Sequence, residues 1–362
     1  MKFVIAAGGT GGHLFPGLAV GEVLLTRGHE VMLLISEKEI DAQATKGRSE
    51  FRIERLPGIG LPRIFSPAAL SFVRRFLQGL QRCRRLYAEF QPSAVLGMGG
   101  FTSTGPILAG RFRKIPTFVH ESNAIPGKAN RLNGRLADTV LLGFEECRRF
   151  FPKERCEVTG TPVRKDLTQR TDRAAALSVF SLTPGRKTLL VMGGSQGAQG
   201  INTAVTGALP QLGSEQIQAI HLTGATGEAE VREAYRAAGI PAFVAPFSHQ
   251  MGDAYSAADI AVARSGAASL TELSQFGLAS ILIPYPFAAE DHQTHNANIF
   301  AQAGAAILLQ QREATPEAVA RELRTLLDEA PRLSEMSAAS ARLAPTRAAE
   351  RVADAILQRA QV

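Results

Sequence analysis

Tryptophan is missing from the 362 residues, and aromatic side chains make up only 6% of them. No lysine-rich tail appears either. The chain therefore lacks the stacking platforms and basic arms with which proteins grip nucleic acid. Cysteine is scarce, and Cys83, Cys147 and Cys156 form an odd set with no C-x-x-C pair. That excludes a disulfide framework or a zinc ribbon and fits a reducing compartment. No run of eighteen apolar residues occurs, so no segment is expected to cross a membrane as a helix. The chain enters an apolar run at once, without the pattern of a secretory leader, so a cytoplasmic location is expected. Two nucleotide signatures are missing as well: the first glycine cluster is not G-x-G-x-x-G and no P-loop lysine follows it. Short-period repeats and low-complexity tracts are absent.

What is present is ordinary in bulk. A hydrophobic share of 45% with 20% charged residues describes a globular protein, and 362 residues exceed what one core usually serves. Two domains are expected. Lys and Arg number 40 against 33 Asp and Glu, a net charge of +7. That excess favours an anionic partner, either a phosphorylated substrate or an acidic membrane surface.

The arrangement is more telling, and it starts with Met1 to Gly17, MKFVIAAGGTGGHLFPG. Phe3 to Ala7 reads as a strand buried on both faces of a parallel sheet. Gly8, Gly9, Gly11 and Gly12 then give a turn that opens a helix, with Thr10, His13 and an early Pro16. Free N–H groups and a positive dipole end at such a turn suit anionic or hydroxyl-rich ligands. The device recurs. Ala94 to Leu96 runs into Gly97-Met98-Gly99-Gly100, and Thr188 to Met192 into Gly193-Gly194-Ser195-Gln196-Gly197-Ala198. Thr117 to Val119 ends in His120-Glu121-Ser122-Asn123, four polar residues where open α/β sheets bind ligands. Strands alternate with helical segments throughout, so each half is expected to hold a parallel sheet of βαβ units. Residues 165–187, charged and then Thr-Pro-Gly, are the expected connection between the halves.

Three further stretches carry chemistry. From Ala68 to Phe90 apolar residues recur at helical spacing among Arg74, Arg75, Arg82, Arg84 and Arg85. Such a helix either rests on an anionic lipid surface or buries one face while its arginines are solvated. Arg264-Ser265-Gly266-Ala267 ends a strand and caps a helix that could hold a phosphate, with Glu272 placed for ribose hydroxyls. Pro284 to Phe287 leads into Glu290-Asp291-His292-Gln293-Thr294-His295, a polar set better suited to sugar hydroxyls than to a metal ion.

Taken in order, GGTGGH at 8–13, GMGGF at 97–101, HESN at 120–123, TPVR at 161–164, GGSQGA at 193–198, RSGA at 264–267 with Glu272, and DHQT at 291–294 cover nearly the whole chain. The set resembles the UDP-N-acetylglucosamine–N-acetylmuramyl-(pentapeptide) pyrophosphoryl-undecaprenol N-acetylglucosamine transferase family of bacterial peptidoglycan synthesis. The resemblance implies an α/β fold of two Rossmann-like domains with parallel sheets facing across a cleft. The divisions implied are 1–163, joined by the last helix at 346–362, as the acceptor and membrane-facing domain, and 164–345 as the donor domain. It implies inverting transfer of N-acetylglucosamine from UDP-N-acetylglucosamine to the 4-hydroxyl of undecaprenyl-linked MurNAc-pentapeptide. No cofactor is implied, and a divalent cation would act only through the diphosphate.

Site residues follow on matching positions. Thr10, Gly11, Gly12 and Asn123 are implied near the sugar and diphosphate, and Arg164 and Ser195 at the diphosphate. Ser248 is implied at uracil, Ala267, Ala268, Ser269, Leu270, Thr271 and Glu272 at phosphate and ribose, and Gln293 at the sugar hydroxyls. His13 is the expected general base, with Glu121 and His120 as rivals. The lipid acceptor makes a membrane patch the preferred reading of Leu70, Val73, Arg74, Arg75, Phe76, Leu77 and Leu80, with Phe112. The expected setting is the cytoplasmic face of the cell membrane, with cell-wall synthesis and division proteins as partners. One departure stands out: GGFTSTGP at 99–106 is a residue longer than the family's usual second glycine loop. The competing readings are a related transferase acting on another lipid and a UDP-N-acetylglucosamine epimerase.

Overall fold

The computed structural model describes residues 1–38, 41, 42, 45–57, 68–194 and 199–361, with backbone alone at 68–70. Leu70 as a patch residue and Ser195 as a diphosphate contact lie outside what is described of side chains. The chain divides into two compact units, Met1–Arg164 with Pro345–Val362, and Lys165–Ala344. The division falls one residue later than expected. Arg164 belongs with the first unit because its guanidinium lies 4.8 Å over the Phe15 ring. Pro345 belongs there too, packed so closely on Gly160 that no side chain would fit at that glycine.

In the first unit the strands are β1 (Lys2–Ala6), β2 (Glu30–Ser36), β3 (Arg52–Leu56), β4 (Ala94–Gly97), β5 (Thr117–Glu121), β6 (Thr139–Leu142) and β7 (Cys156–Val158). They form one parallel sheet in the order β3-β2-β1-β4-β5-β6-β7. Its helices are α1 (Gly11–Thr26), α2 (Ala68–Phe90), α3 (Thr104–Phe112) and α4 (Lys128–Leu136). The sheet's central strands are apolar on both faces, as Val4, Ile5, Leu33, Val95, Leu96 and Val119 are each at most 1% exposed. Helices must cover both sides. The last helix of the chain completes one side, with Val352, Ala353 and Ile356 packed among Phe3, Leu18 and Leu96.

The second unit repeats the plan. Its strands are β8 (Lys187–Met192), β9 (Ile217–Leu222), β10 (Ala242–Ala245), β11 (Ile260–Ala263), β12 (Ala279–Leu282) and β13 (Ala306–Leu308), ordered β10-β9-β8-β11-β12-β13 and all parallel. Its helices are α5 (Arg173–Val179), α6 (Gln199–Ala208), α7 (Glu228–Ala237), α8 (Met251–Ala257), α9 (Ala267–Gln275), α10 (His292–Gln302), α11 (Pro316–Asp328) and α12 (Ala330–Arg342), and α13 (Ala348–Ala360) returns to the first unit. In each sheet the strand order reverses once, at β1/β4 and at β8/β11. Ligands of open α/β sheets bind at the carboxyl ends of strands beside such a reversal, because the loops diverge there and leave a crevice. The glycine clusters lie at those ends.

Candidate functional site

The first glycine cluster is tighter than a loop leading to a helix. Helix α1 already begins at Gly11, with Thr10 as its extended first cap and the Leu14 N–H bonded to the Thr10 carbonyl. Pro16 is therefore inside the helix and not in its first turn. The opening N–H groups at Gly11 and Gly12 lie at the positive end of α1, half-buried and exposed respectively.

Buried groups hold this turn from below. The Asp41 carboxylate, fully buried, accepts from the Gly9 N–H at 2.8 Å and the Ser36 hydroxyl at 2.5 Å, and Lys38 Nζ donates to the Gly9 carbonyl at 2.8 Å. The second glycine turn is fastened to the first, since the Thr102 hydroxyl donates to the Gly8 carbonyl at 2.8 Å. The hydroxyls of Thr102 and Ser103 are spent on backbone here. Against these two turns lies His13. Its Nδ1 is 3.2 Å from the Thr10 hydroxyl, and a Cβ at Gly99 would come within 2.8 Å of its Nε2. Gly99 has φ +117° and Gly100 +70°, conformations that let bare backbone press on the ring.

Beside them, β5 runs on through His120 and Glu121, two residues beyond the expected strand. His120 is fully buried, and its Nε2–H donates to the Gly160 carbonyl at 3.0 Å, so Nδ1 must accept, from Ser122 at 3.3 Å. Burial pushes its pKa down to about 4. Glu121 is 3% exposed with both oxygens taken: Oε1 by the backbone and side-chain N–H of Asn123, Oε2 by Asn130 at 3.0 Å and Gly127 at 3.3 Å. Burial raises its pKa, the hydrogen bonds opposing the rise. A carboxylate with four donors orients a loop, and here it holds Asn123. Asn130 and Asn133, one turn apart on α4, brace both the Glu121 carboxylate and the Gly100 carbonyl. Two amides at i, i+3 in KANRLNGRL were the available signal for them.

In the second unit, β11 delivers Arg264 and Ser265 to the cap of α9, Gly266. Arg264 is buried, donates to the carbonyls of Ile283 and Pro284 at 2.9 Å each, and lies 5.5 Å from the Tyr285 ring centre. Burial lowers its pKa. The Ser265 hydroxyl donates to the Gln293 carbonyl at 2.8 Å, which fastens the start of α10 to the start of α9. Gln293 Oε1 accepts from the Tyr285 N–H at 2.9 Å, and Ser248 Oγ accepts from the Gln250 N–H at 3.0 Å. Of the run 267–272, Ala268, Ser269 and Glu272 reach the surface, whereas Ala267 is buried at the helix start. Leu270 is in the core, and the Thr271 hydroxyl is spent on the Ala267 carbonyl, so neither side chain faces a ligand. Glu272 is half-buried, and the hydroxyl of Tyr255 donates to its Oε2 at 2.6 Å. Among the described residues no cluster of three or more His, Cys, Asp or Glu is placed to hold a metal ion.

The patch residues separate by face. Val73, Arg74, Arg75 and Leu77 point outward with Phe112, which is 62% exposed. Phe76 is half-buried, stacked on Phe72, and Leu80 packs against the core beneath α2, so Leu80 leaves the patch. A groove of about 960 Å³ lies elsewhere, at the amino ends of β5 to β7 among Arg111, Asp138 and Arg359, away from every glycine turn. No described helix is long and apolar enough to cross a membrane.

Comparison with known proteins gives these features a context. Residues 3–142 match the glycosyltransferase family 28 N-terminal domain, and residues 188–355 its C-terminal domain. The UDP-N-acetylglucosamine–N-acetylmuramyl-(pentapeptide) pyrophosphoryl-undecaprenol N-acetylglucosamine transferase of Geotalea daltonii is 39% identical, covering 94% of this chain and 93% of its own. The protein of that name from Geotalea uraniireducens is 38% identical over 98% of this chain and 97% of its own. The crystal structure of Acinetobacter baumannii MurG matches with a TM-score of 0.78 and 29% identity, covering 99% of both chains. A UDP-GlcNAc 2-epimerase from Neisseria meningitidis is also similar, with a TM-score of 0.70 over 99% of this chain, but its 14% identity shows the fold alone. With both halves matched in order and relatives aligned over nearly their whole length, the chain belongs to glycosyltransferase family 28 and is a glycosyltransferase.

Proposed function

We propose that this enzyme transfers N-acetylglucosamine from UDP-N-acetylglucosamine to the 4-hydroxyl of undecaprenyl-pyrophosphoryl-MurNAc-pentapeptide, inverting the α linkage to β. The observation that carries this reading is near-full-length likeness to relatives named for that substrate pair, at 39% and 38% identity. Inversion requires one in-line displacement, in which a base takes the acceptor proton as the diphosphate leaves. His13 is that base: it is half-buried at the mouth of α1, and imidazole as a class exchanges protons near working pH. Thr10, Gly11, Gly12 and Asn123 bind sugar and diphosphate oxygens, Asn123 being held for the task by Glu121.

The leaving diphosphate gathers negative charge, which the start of α9 at Gly266, together with Ser195 and Arg164, stabilises. The Ser248 backbone reads uracil, Glu272 accepts from ribose hydroxyls and Gln293 contacts the sugar. No resident metal takes part, and a divalent cation acts through the diphosphate alone. The exposed face of α2 with Phe112 docks on an anionic membrane surface, where each nearby cation contributes about 1 kcal/mol. Proteins of cell-wall synthesis and division meet the enzyme on that surface.

Labelled UDP-N-acetylglucosamine with and without lipid-linked muramyl pentapeptide tests this. Label should enter the lipid only when both are present. Label that never reaches the lipid while an epimeric UDP-sugar accumulates would establish the epimerase instead. In the same assay His13→Ala should lower turnover by roughly 10² to 10⁴ with UDP binding intact. Near-normal turnover dismisses His13.

A further inference from the structure

Tyr255, in MGDAYSA, lies outside every motif of the sequence analysis. The structure gives its oxygen a specific task. The residue is 1% exposed on α8, its ring stacked on Phe276 at 5.2 Å between centroids. Phenylalanine would pack equally well there. The hydroxyl is the costly part, since burying it without a partner would destabilise the fold. Acceptors within its reach include Glu272 Oε2 at 2.6 Å and the Met192 sulfur at 3.6 Å. A carboxylate accepts far more strongly than a thioether, so the proton points to Glu272.

The location matters as much as the bond. Helix α8 starts three residues after Ser248, Met192 ends β8 just before the third glycine cluster, and Glu272 is on α9. Tyr255 thus ties α8 and the end of β8 to α9, the helix that carries Glu272. Glu272 alone has three rotatable bonds and many rotamers, and an anchor on one oxygen restricts them before a ligand arrives.

We propose that Tyr255 is a positioning residue for donor recognition, its hydroxyl fixing the Glu272 carboxylate in the orientation that accepts from the ribose. This rests on the ribose role of Glu272 given above, and the test separates the two. Dissociation constants for UDP and for 2′,3′-dideoxyuridine diphosphate are measured calorimetrically on wild type, Tyr255→Phe, Glu272→Gln and the double variant. Wild type should prefer UDP. Tyr255→Phe should weaken UDP about fivefold to tenfold, the scale of one ordinary hydrogen bond, and leave the dideoxy ligand unchanged. The double variant should be no worse than Glu272→Gln, because the two residues act as one unit.

If Glu272→Gln keeps the wild-type preference, the ribose role itself fails. If Glu272→Gln loses the preference and Tyr255→Phe keeps it, the positioning role is overturned and the ribose role survives. Equal weakening of both ligands by Tyr255→Phe also overturns it, because only general loosening acts that way. Should Tyr255→Phe not fold, Glu272→Asp serves, since its shorter side chain draws the carboxylate off the hydroxyl. Wild-type preference in that variant overturns the proposal.

Discussion

Placing alanine at Gly99 would strike His13 without touching it chemically. A Cβ there comes 2.8 Å from Nε2, 3.0 Å from Cδ2 and 3.1 Å from the Asn130 amide nitrogen, where ordinary contact begins at 3.4 Å. The ring must retreat by about 0.6 Å, the difference between 3.4 and 2.8 Å. Its Nδ1 is tied to Thr10 at 3.2 Å, so the retreat costs that contact or tilts the ring. Displacing a reacting group by about 1 Å can cost on the order of 10²-fold in rate. Gly99→Ala should therefore lower kcat roughly tenfold to a hundredfold, while UDP binding holds.

Backbone strain must be separated from collision, because φ is +117° at this position. Gly28 supplies the control: φ is +79° there, and an added Cβ meets nothing within 4 Å. Gly28→Ala should cost about 1 kcal/mol of stability and leave kcat alone. Steady-state transfer assays, with thermal melts to establish folding, compare the two. A folded Gly99→Ala enzyme with kcat within a factor of two of wild type refutes the reasoning.

Two further outcomes follow from the structure. Burial pushes His221, bonded to Tyr235 and Asn202 at 3.1 Å each, down to about 3, and His120 down to about 4. An unfolded chain takes up these protons near pH 6.5 and the native one refuses them, so stability is lost as pH falls below about 6.5, by about 2 kcal/mol per histidine at pH 5. Urea unfolding at pH 7.5 and 5.0 should show His221→Gln losing part of this sensitivity, and an identical pH loss in variant and wild type contradicts it. Reversing Arg74 and Arg75 to Glu should weaken sedimentation with anionic vesicles and spare neutral ones. Arg82 is the wrong choice for that experiment because it is already bonded to Glu54 at 3.1 Å; unchanged anionic binding in the Arg74/Arg75 variant removes α2 from the docking surface.

Much of the frame was legible because it is written in local pattern. Unbroken apolar runs ending in glycine clusters gave β1, β4 and β8, and helical spacing gave α2 at both ends, Ala68 and Phe90. β13 escaped because Ala306–Leu308 is three residues of an Ala-rich stretch. α4 escaped because KANRLNGRL shows little apolar periodicity and buries asparagines. The turns that carry the candidate site were legible, but the partners of their side chains were not. Glu121 is a carboxylate at a strand end in either reading, and only the convergence of Asn123, Gly127 and Asn130 shows that its lone pairs are taken. Asp41 and Tyr255 act through partners 32 and 17 residues away, separations at which sequence spacing carries no signal.

The closing helix has a consequence for how the chain is made. Val352, Ala353 and Ile356 fill a core whose other walls are Phe3, Leu18 and Leu96, and Arg27 is bonded to Asp354 at 2.6 Å. The half that leaves the ribosome first is thus the half that finishes last. Residues 165–344 can condense as a contiguous block while the earlier sheet waits with apolar surface uncovered. Synthesis stalled near the end would leave that sheet the more exposed of the two to chaperones and proteases.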